Sequence, residues 1–289
     1  MRIAVVGVSL TSSHTHLVRA FLDELLLAGD TLLAAEDIRA KLISDLSTSE
    51  QLEPLETSDN PVDLFLSIGG DGTLLNSISA VKDSGIPVLG INTGRLGYLT
   101  SATLADAALA VKKVREKNMI IEKRSLLRVE TKGNLFGETN YGLNDFTIYK
   151  NDSASMINIH AYMNGVFLNS YWGDGLIIST PTGSTAYSLS CGGPIISGEC
   201  GVFAITPIAP HNLNVRPLVV SDDAVITLTA ETRQHYYLAT LDSRSVRVET
   251  DIEFTIRKEN FDISLVHFPD HNFPARIRSK LNWGLDRRN

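Results

Sequence analysis

The chain has 289 residues, 43% of them hydrophobic and 20% charged, with a formal net charge of −7. That is enough for two domains of ordinary size with a substantial buried core. Nothing in the charge balance draws the protein to nucleic acid or to an anionic membrane, and no apolar run approaches the ~20 residues of a membrane span. Two cysteines, Cys191 and Cys200, make no disulfide framework. The opening segment MRIAVVGVSL is too short in apolar residues for a signal peptide, so a cytoplasmic protein is expected.

In chain order, IAVVGV predicts a first strand over 3–8, followed by a helix in LVRAFLDELLLAG with Leu17, Ala20, Phe21 and Leu25 inward and Gly29 beyond its end. The stretch from Thr31 to Asn60 reads as polar, helical in part, then loose around Pro54. VDLFLSI predicts a buried strand, and LLNSISAVKDSG a helix with Leu74, Leu75, Ile78 and Val81 on one face. IPVLGIN predicts another short strand, and LADAALAVKKVREKN an amphipathic helix. Near Ile120 the texture changes to short alternating runs broken by Gly, Asn and Asp, with Asn164-Gly165 as a two-residue hairpin turn. One shorter helix is predicted from about Thr182-Gly183-Ser184. The expected organisation is an α/β domain over 1–120, a β-rich domain over 121–265, and a tail over 266–289 that is either a solvated end or a segment packing back on the first.

Four stretches carry chemistry. SIGGDGTLL joins a strand to a helix through Gly69, Gly70, Asp71, Gly72 and Thr73. Glycines permit positive φ and close ligand approach, and a helix start favours an anion. The plain alternative is a tight turn with Asp71 or Thr73 as the helix cap. A second glycine turn, NTGRLGYL, follows the next strand, and in a parallel sheet both turns open on one edge, where small ligands bind. Asp71 can do what a lysine cannot: orient a hydroxyl that attacks a γ-phosphate and take its proton. In LNDFTIYK, Asn144-Asp145 offers donors and acceptors suited to sugar hydroxyls or an adenine amine, although a turn before a strand would use the same pair. The run WGDGLIISTPTGSTAYSLSCGGPII places Asp174 before a strand and a hydroxyl-rich turn after it, with Tyr187 able to stack on a base. His14 and His16 lack further ligands, and Cys191 has no base beside it, so neither predicts a metal or nucleophilic site.

GGDGT at 69–73, NTGRLGYL at 92–99, LNDFTI at 143–148, GDGLIISTPTGSTAYSLSCGGPI at 173–195 and RPLVV at 216–220 together resemble the NAD kinase family. The resemblance implies a Rossmann-like N-terminal domain of phosphofructokinase-like topology and a β-rich C-terminal domain that binds NAD. It implies ATP-dependent phosphorylation of NAD at the adenosine ribose 2′-hydroxyl, with a divalent metal, Mg2+, accompanying ATP, and a homodimer or homotetramer. Asp71 takes the catalytic position. Asp71, Gly72, Asn144, Asp145, Asp174 and the block Thr185, Ala186, Tyr187, Ser188, Leu189 and Ser190 take the NAD-binding positions. Gly69, Gly70, Thr73, Arg95, Tyr98 and Arg244 are the nucleotide or phosphate contacts it suggests. No protein metal ligand, nucleic-acid partner or membrane partner is implied.

The chain departs from the family pattern in three places. Asp145 is shorter than the Glu of many relatives, Trp172 replaces a basic residue, and LDSR at 241–244 replaces Asp-Gly-Gln. A lipid kinase sharing GGDGT would need an apolar slot, against which the hydroxyl-rich 179–190 stretch argues. A non-catalytic NAD sensor would need Asn144, Asp174 and Tyr187 but not Asp71.

Overall fold

The computed structural model describes residues 1–9, 14–46, 52–55, 61–94, 97–151, 155–233, 235–249, 252–269 and 272–284. The chain packs as two units. One is made of residues 1–123 and 263–289, the other of the continuous segment 124–262.

The first unit opens with β1 (Arg2–Val8), α1 (Thr15–Leu27), β2 (Thr31–Ala34), α2 (Glu36–Leu46) and β3 (Leu52–Pro54). It continues with β4 (Leu64–Ile68), α3 (Asp71–Val81), β5 (Val88–Asn92), β6 (Ala102–Thr103) and α4 (Ala107–Arg115). Its sheet runs β3-β2-β1-β4-β5, all parallel, with β6 also parallel to β5. β1 and β4 are neighbours from which the chain winds outward in opposite directions. That is a topological switch point, and the crevice at the strands' C-terminal ends is where such sheets take ligands. The GGDGT turn leaves β4 at this edge.

Burial follows the pattern each element requires. In α1 the inward residues are Val18, Phe21, Leu22 and Leu25, spaced i, i+3, i+4 and i+7. Leu17, expected inward, is exposed, because the stripe is rotated by one position from the predicted one. In α3, Leu74, Ser77, Ile78 and Val81 are inward. Ile3, Val5, Leu64, Leu66, Leu89 and Ile91 share one core cluster with the inward residues of α1 and α4. Under the start of α3 the strands carry small residues. A Cβ on Gly90 would lie 2.8 Å from Leu74, and one on Gly7 3.1 Å from Thr73. The short strands β2 and β3 lie in the stretch read as helical or loose. Their few residues are specified by neighbours in the sheet and not by any alternation of their own.

The second unit contains most of β7 (Ile120–Thr131), then β8 (Tyr141–Gly142), β9 (Asp145–Lys150), β10 (Ile157–Met163), β11 (Val166–Gly173) and β12 (Gly175–Ser179). After a short α5 (Tyr187–Ser190) come β13 (Val202–Ile208), β14 (Leu218–Ser221), β15 (Ile226–Glu231), β16 (Tyr237–Leu241), β17 (Arg244–Val248) and the first part of β18 (Phe254–His267). One antiparallel sheet is ordered β14-β13-β12-β9-β16-β17, and a second places β11, β10, β15 and β18 side by side. Their inner faces enclose Phe146, Ile148, Ile159, Leu176, Ile178, Phe203, Leu228 and Phe254, with Phe146 and Phe254 ring centroids 5.1 Å apart. Asn164 and Gly165, with φ of 51° and 78°, form the predicted hairpin turn between β10 and β11.

β18 ends in the first unit, where Leu265 pairs in parallel with Val88 of β5. The final helix, α6 (Phe273–Leu281), is capped by the Asn272 side chain and buries Arg276. That guanidinium reaches Glu122 at 3.0 Å and His267 at 2.9 Å, so the basic tail residue is internally paired.

Candidate active site

In the first unit, β4 delivers the chain into the turn and Gly70, not Asp71 or Thr73, is the cap residue of α3. Asp71 is therefore the first helical residue, with its carboxylate directed away from capping duty. Of the three glycines, only Gly69 has positive φ (157°), and a Cβ there would fall 2.3 Å from the Thr73 hydroxyl. A Cβ on Gly70 or Gly72 would meet nothing within 4 Å. Those two positions are small without any demand from the surrounding fold, which leaves main-chain N–H groups open to a ligand.

The second glycine turn grips the acid. The Tyr98 N–H donates to Asp71 Oδ2 at 2.7 Å, and the N–H groups of Leu99 and Thr100 donate to Oδ1 at 3.3 and 3.2 Å. The Thr100 hydroxyl adds a bond to Oδ1 at 3.2 Å while accepting from Gly97 N–H and Asn92 Nδ2. Gly97 is obligatory: a Cβ there would lie 1.8 Å from Asp71 Oδ1. Burial first, and the Asp71 charge second, push the Tyr98 hydroxyl above its ordinary pKa. Arg95 lies outside the described residues.

In the second unit the Asn144-Asp145 pair sits at the start of β9. Thr180 Oγ1 donates to Leu143 O at 2.5 Å and Thr180 N–H to Asn144 O at 2.9 Å. A Cβ on Gly183 would be 2.0 Å from Asn144 O, so the hydroxyl-rich turn and the Asn-Asp pair are in main-chain contact. Asp145 is 7% exposed. Its carboxyl pKa is pushed up to about 7, chiefly by burial and next by the charge of Asp242, against a lowering hydrogen bond from Thr147. Asp242, in the β16–β17 turn, accepts from the N–H groups of Leu143, Asn144 and Asp145 at 2.8, 2.8 and 3.1 Å. Burial raises its pKa as well, while those three bonds and Arg244 oppose the rise.

At the far end of β9, Lys150 Nζ holds Asp174 Oδ1 at 2.7 Å. Trp172 lies against His211 with ring centroids 4.5 Å apart and the planes tilted by 45°. In the block 185–190, Tyr187 and Ser190 are exposed and Thr185, Ala186 and Leu189 half-buried. Ser188 is wholly buried with its hydroxyl 2.8 Å from that of Thr206. The Tyr187 hydroxyl bonds to Cys191, whose thiol pKa is raised mainly by burial, as befits an unreactive thiol. Arg244 turns its guanidinium to the carbonyls of Thr139 and Tyr141, the latter at 2.6 Å. Two of its nitrogens are thereby engaged within the unit.

Sequence reading missed Thr100, Asp242 and Lys150. Only Asp242 had a local signal, an acid in a turn between two alternating runs. The glycine at 97 was visible, but its purpose was not.

Residues 20–119 match the family model of the ATP-NAD kinase N-terminal domain, and residues 143–268 that of the ATP-NAD kinase C-terminal domain. An NAD kinase of Flavobacterium psychrophilum is 41% identical over 294 positions and covers 100% of both chains. One from Cytophaga hutchinsonii is 48% identical over 227 residues, 78% of each chain. Among solved structures, an NAD kinase from Archaeoglobus fulgidus in complex with ATP aligns with a TM-score of 0.73 at 27% identity, covering 96% of this chain and 99% of that one. Yeast NADH kinase complexed with NADH aligns with a TM-score of 0.85 at 23% identity, covering 99% and 89%, and shares the fold. The chain belongs to the NAD kinase family.

Proposed function

We propose that the protein is an NAD kinase enzyme that transfers the γ-phosphoryl group of ATP to the 2′-hydroxyl of the adenosine ribose of NAD, yielding NADP and ADP. The observation that carries this reading is the Asp71 carboxylate at the switch-point turn, fixed by three N–H groups and one hydroxyl of a neighbouring glycine turn. A carboxylate so held has little freedom to rotate, and a hydroxyl that donates to it presents its oxygen in one direction. As the new P–O bond forms and the bond to the ADP oxygen breaks, the hydroxyl proton passes to Asp71.

The family match and a relative solved with ATP support ATP as donor. Gly69, Gly70, Gly72, Thr73 and Tyr98 are the proposed phosphate and nucleotide contacts. Asn144, Asp145, Asp174, Thr185, Ala186, Tyr187, Leu189 and Ser190 are the proposed NAD contacts, with Ser188 behind them. The divalent ion, Mg2+, is assigned to the nucleotide substrate as Mg-ATP. A cytoplasmic homodimer or homotetramer completes the proposal, and among the described residues no helix is long and apolar enough to cross a membrane.

The test is to supply purified protein with Mg-ATP and NAD and follow NADP with an NADP-specific dehydrogenase. NADP formation dependent on both substrates is expected. A lipid kinase or an NAD-binding sensor would form none.

A further inference from the structure

The β16–β17 turn lies almost a hundred residues from the Asn144-Asp145 pair in sequence, yet it supports that pair. Asp242 adopts left-handed backbone geometry, φ 51°. Its carboxylate gathers the N–H groups of Leu143, Asn144 and Asp145, while its own N–H donates to Asp145 O at 2.9 Å. An asparagine would tolerate the same backbone but has one acceptor oxygen where the carboxylate uses both. The carboxylate also brings a charge whose field reaches the buried Asp145 carboxyl. Two such groups cannot both ionise without cost, and the pair titrates as a unit. The supply of donors decides where the proton resides. Asp242 has three N–H groups and the Arg244 cation, whereas Asp145 has the Thr147 hydroxyl at 3.1 Å. The other titratable groups facing the pair are Tyr187 and Cys191 of α5, with Tyr149 of β9 beside Tyr187. Burial raises the Tyr187 and Cys191 pKa values above ordinary ones, so these two contribute no neutralising charge near pH 7.

We propose that Asp242 is a positioning residue for the dinucleotide site: it fixes the Asn144-Asp145 main chain and, by opposing the Asp145 charge, makes binding of ribose hydroxyls release a proton. The inference rests on the assignment of Asn144 and Asp145 to NAD. In the free protein near neutrality, a fraction of Asp145 carries an O–H. When sugar hydroxyls donate to it, that bond breaks, the carboxylate keeps the electron pair and the proton leaves to solvent. Hydroxyl donors favour the charged form, so NAD uptake releases protons around pH 7 and strengthens as pH rises.

The experiment has two arms. In weakly buffered solution, NAD added to the wild-type protein should release a fraction of a proton per site near pH 7, and an Asp145→Asn variant at saturating NAD should release none. In the NADP assay, the wild-type KM for NAD should fall by about tenfold between about pH 6 and pH 8, as expected for a single ionisation in that window. Asp242→Asn removes the charge and keeps one acceptor oxygen for the Asn144 and Asp145 N–H groups, so its KM at pH 8 should rise by no more than about a few-fold while the fall with pH moves to lower pH. Asp242→Ala loses both and should raise KM by about tenfold even at pH 8, the effect of leaving buried N–H groups without an acceptor. Wild-type binding without proton release, or a KM profile in Asp242→Asn that coincides with wild type, overturns the inference. Absence of NADP from the wild-type protein would bring down the proposed function instead, and the proton-release arm would still be readable from binding alone. Absence of NAD binding overturns both.

Discussion

Four donors converge on the Asp71 carboxylate, three of them main-chain N–H groups of residues 98–100. Asp145 receives one hydroxyl, from Thr147, and faces a second acid whose carboxylate has taken the neighbouring N–H groups for itself. The same side chain is thus an acceptor held by four donors in the first unit and a buried, sparsely bonded carboxyl with a raised pKa in the second. The difference lies in where each turn sends its backbone N–H groups, since both acids follow or open regular elements and both sit beside glycine- or hydroxyl-rich turns. An acid's chemistry is set by the donors around it as much as by its own identity.

The largest expected effect breaks the first half of this contrast. Asp71→Asn presents an amide to a turn that offers only donors, and it cannot take a proton from a hydroxyl. Turnover should fall by about 10³-fold or more with NAD affinity within a few-fold of wild type. Steady-state NADP formation beside calorimetric NAD binding measures both. Turnover within tenfold of wild type would remove Asp71 from the chemical step.

Asp145→Asn tests the second half through stability. The carboxyl pKa stands near 3.8 when unfolded and about 7 when folded, so between those values the folded protein binds more protons than the unfolded one. The share of stability that this group contributes should therefore be greatest below about pH 4, fall as pH rises, and level off above about pH 7, a loss on the order of 4 kcal/mol. The variant carries no such loss. Urea unfolding across pH 4 to pH 8 should show the variant gaining on wild type as pH increases. Parallel curves would mean that the Asp145 proton is held no more tightly than in the unfolded chain.

A smaller effect sharpens the role of the grip on Asp71. Gly97→Ala places a methyl group where the carboxylate oxygen sits, so the acid must swing away and give up part of its donor set. A fall in kcat of about 10- to 100-fold is expected with little change in melting temperature, because displacement of a reacting group by about 1 Å is costly while the fold can absorb it. Unchanged kcat would show that the grip is dispensable.

Much of this was legible beforehand, and what escaped shares a physical cause. Both glycine turns, the hairpin at Asn164-Gly165 and the α/β-to-β change near residue 120 announce themselves through periodicity or special backbone residues, which are local properties. The stripe of α1 was misplaced by one position because several apolar residues crowd Leu17–Leu27 and more than one inward face satisfies the period. β2 and β3 are too short to show alternation. Asp242 holds residues 97 to 99 positions away, and no local pattern records which turn will meet which loop. Gly69, Gly70 and Gly72 were read as serving both positive φ and close ligand approach. Only Gly69 has positive φ, and a Cβ on Gly70 or Gly72 would stand in empty space.

The first unit is assembled from both ends of the chain, and this bears on its biosynthesis. Residues 124–262 emerge from the ribosome as one uninterrupted piece and can fold as they appear. Their partner unit, begun earlier, must wait: the Leu265 strand beside Val88 and the Arg276 clasp on Glu122 exist only after residues 263–276 have been translated. Until then Glu122 lacks its guanidinium and β5 lacks its parallel partner at Val88. The nascent α/β half is therefore the stage at which a chaperone would engage, and synonymous slow codons after residue 262 would lengthen that exposure.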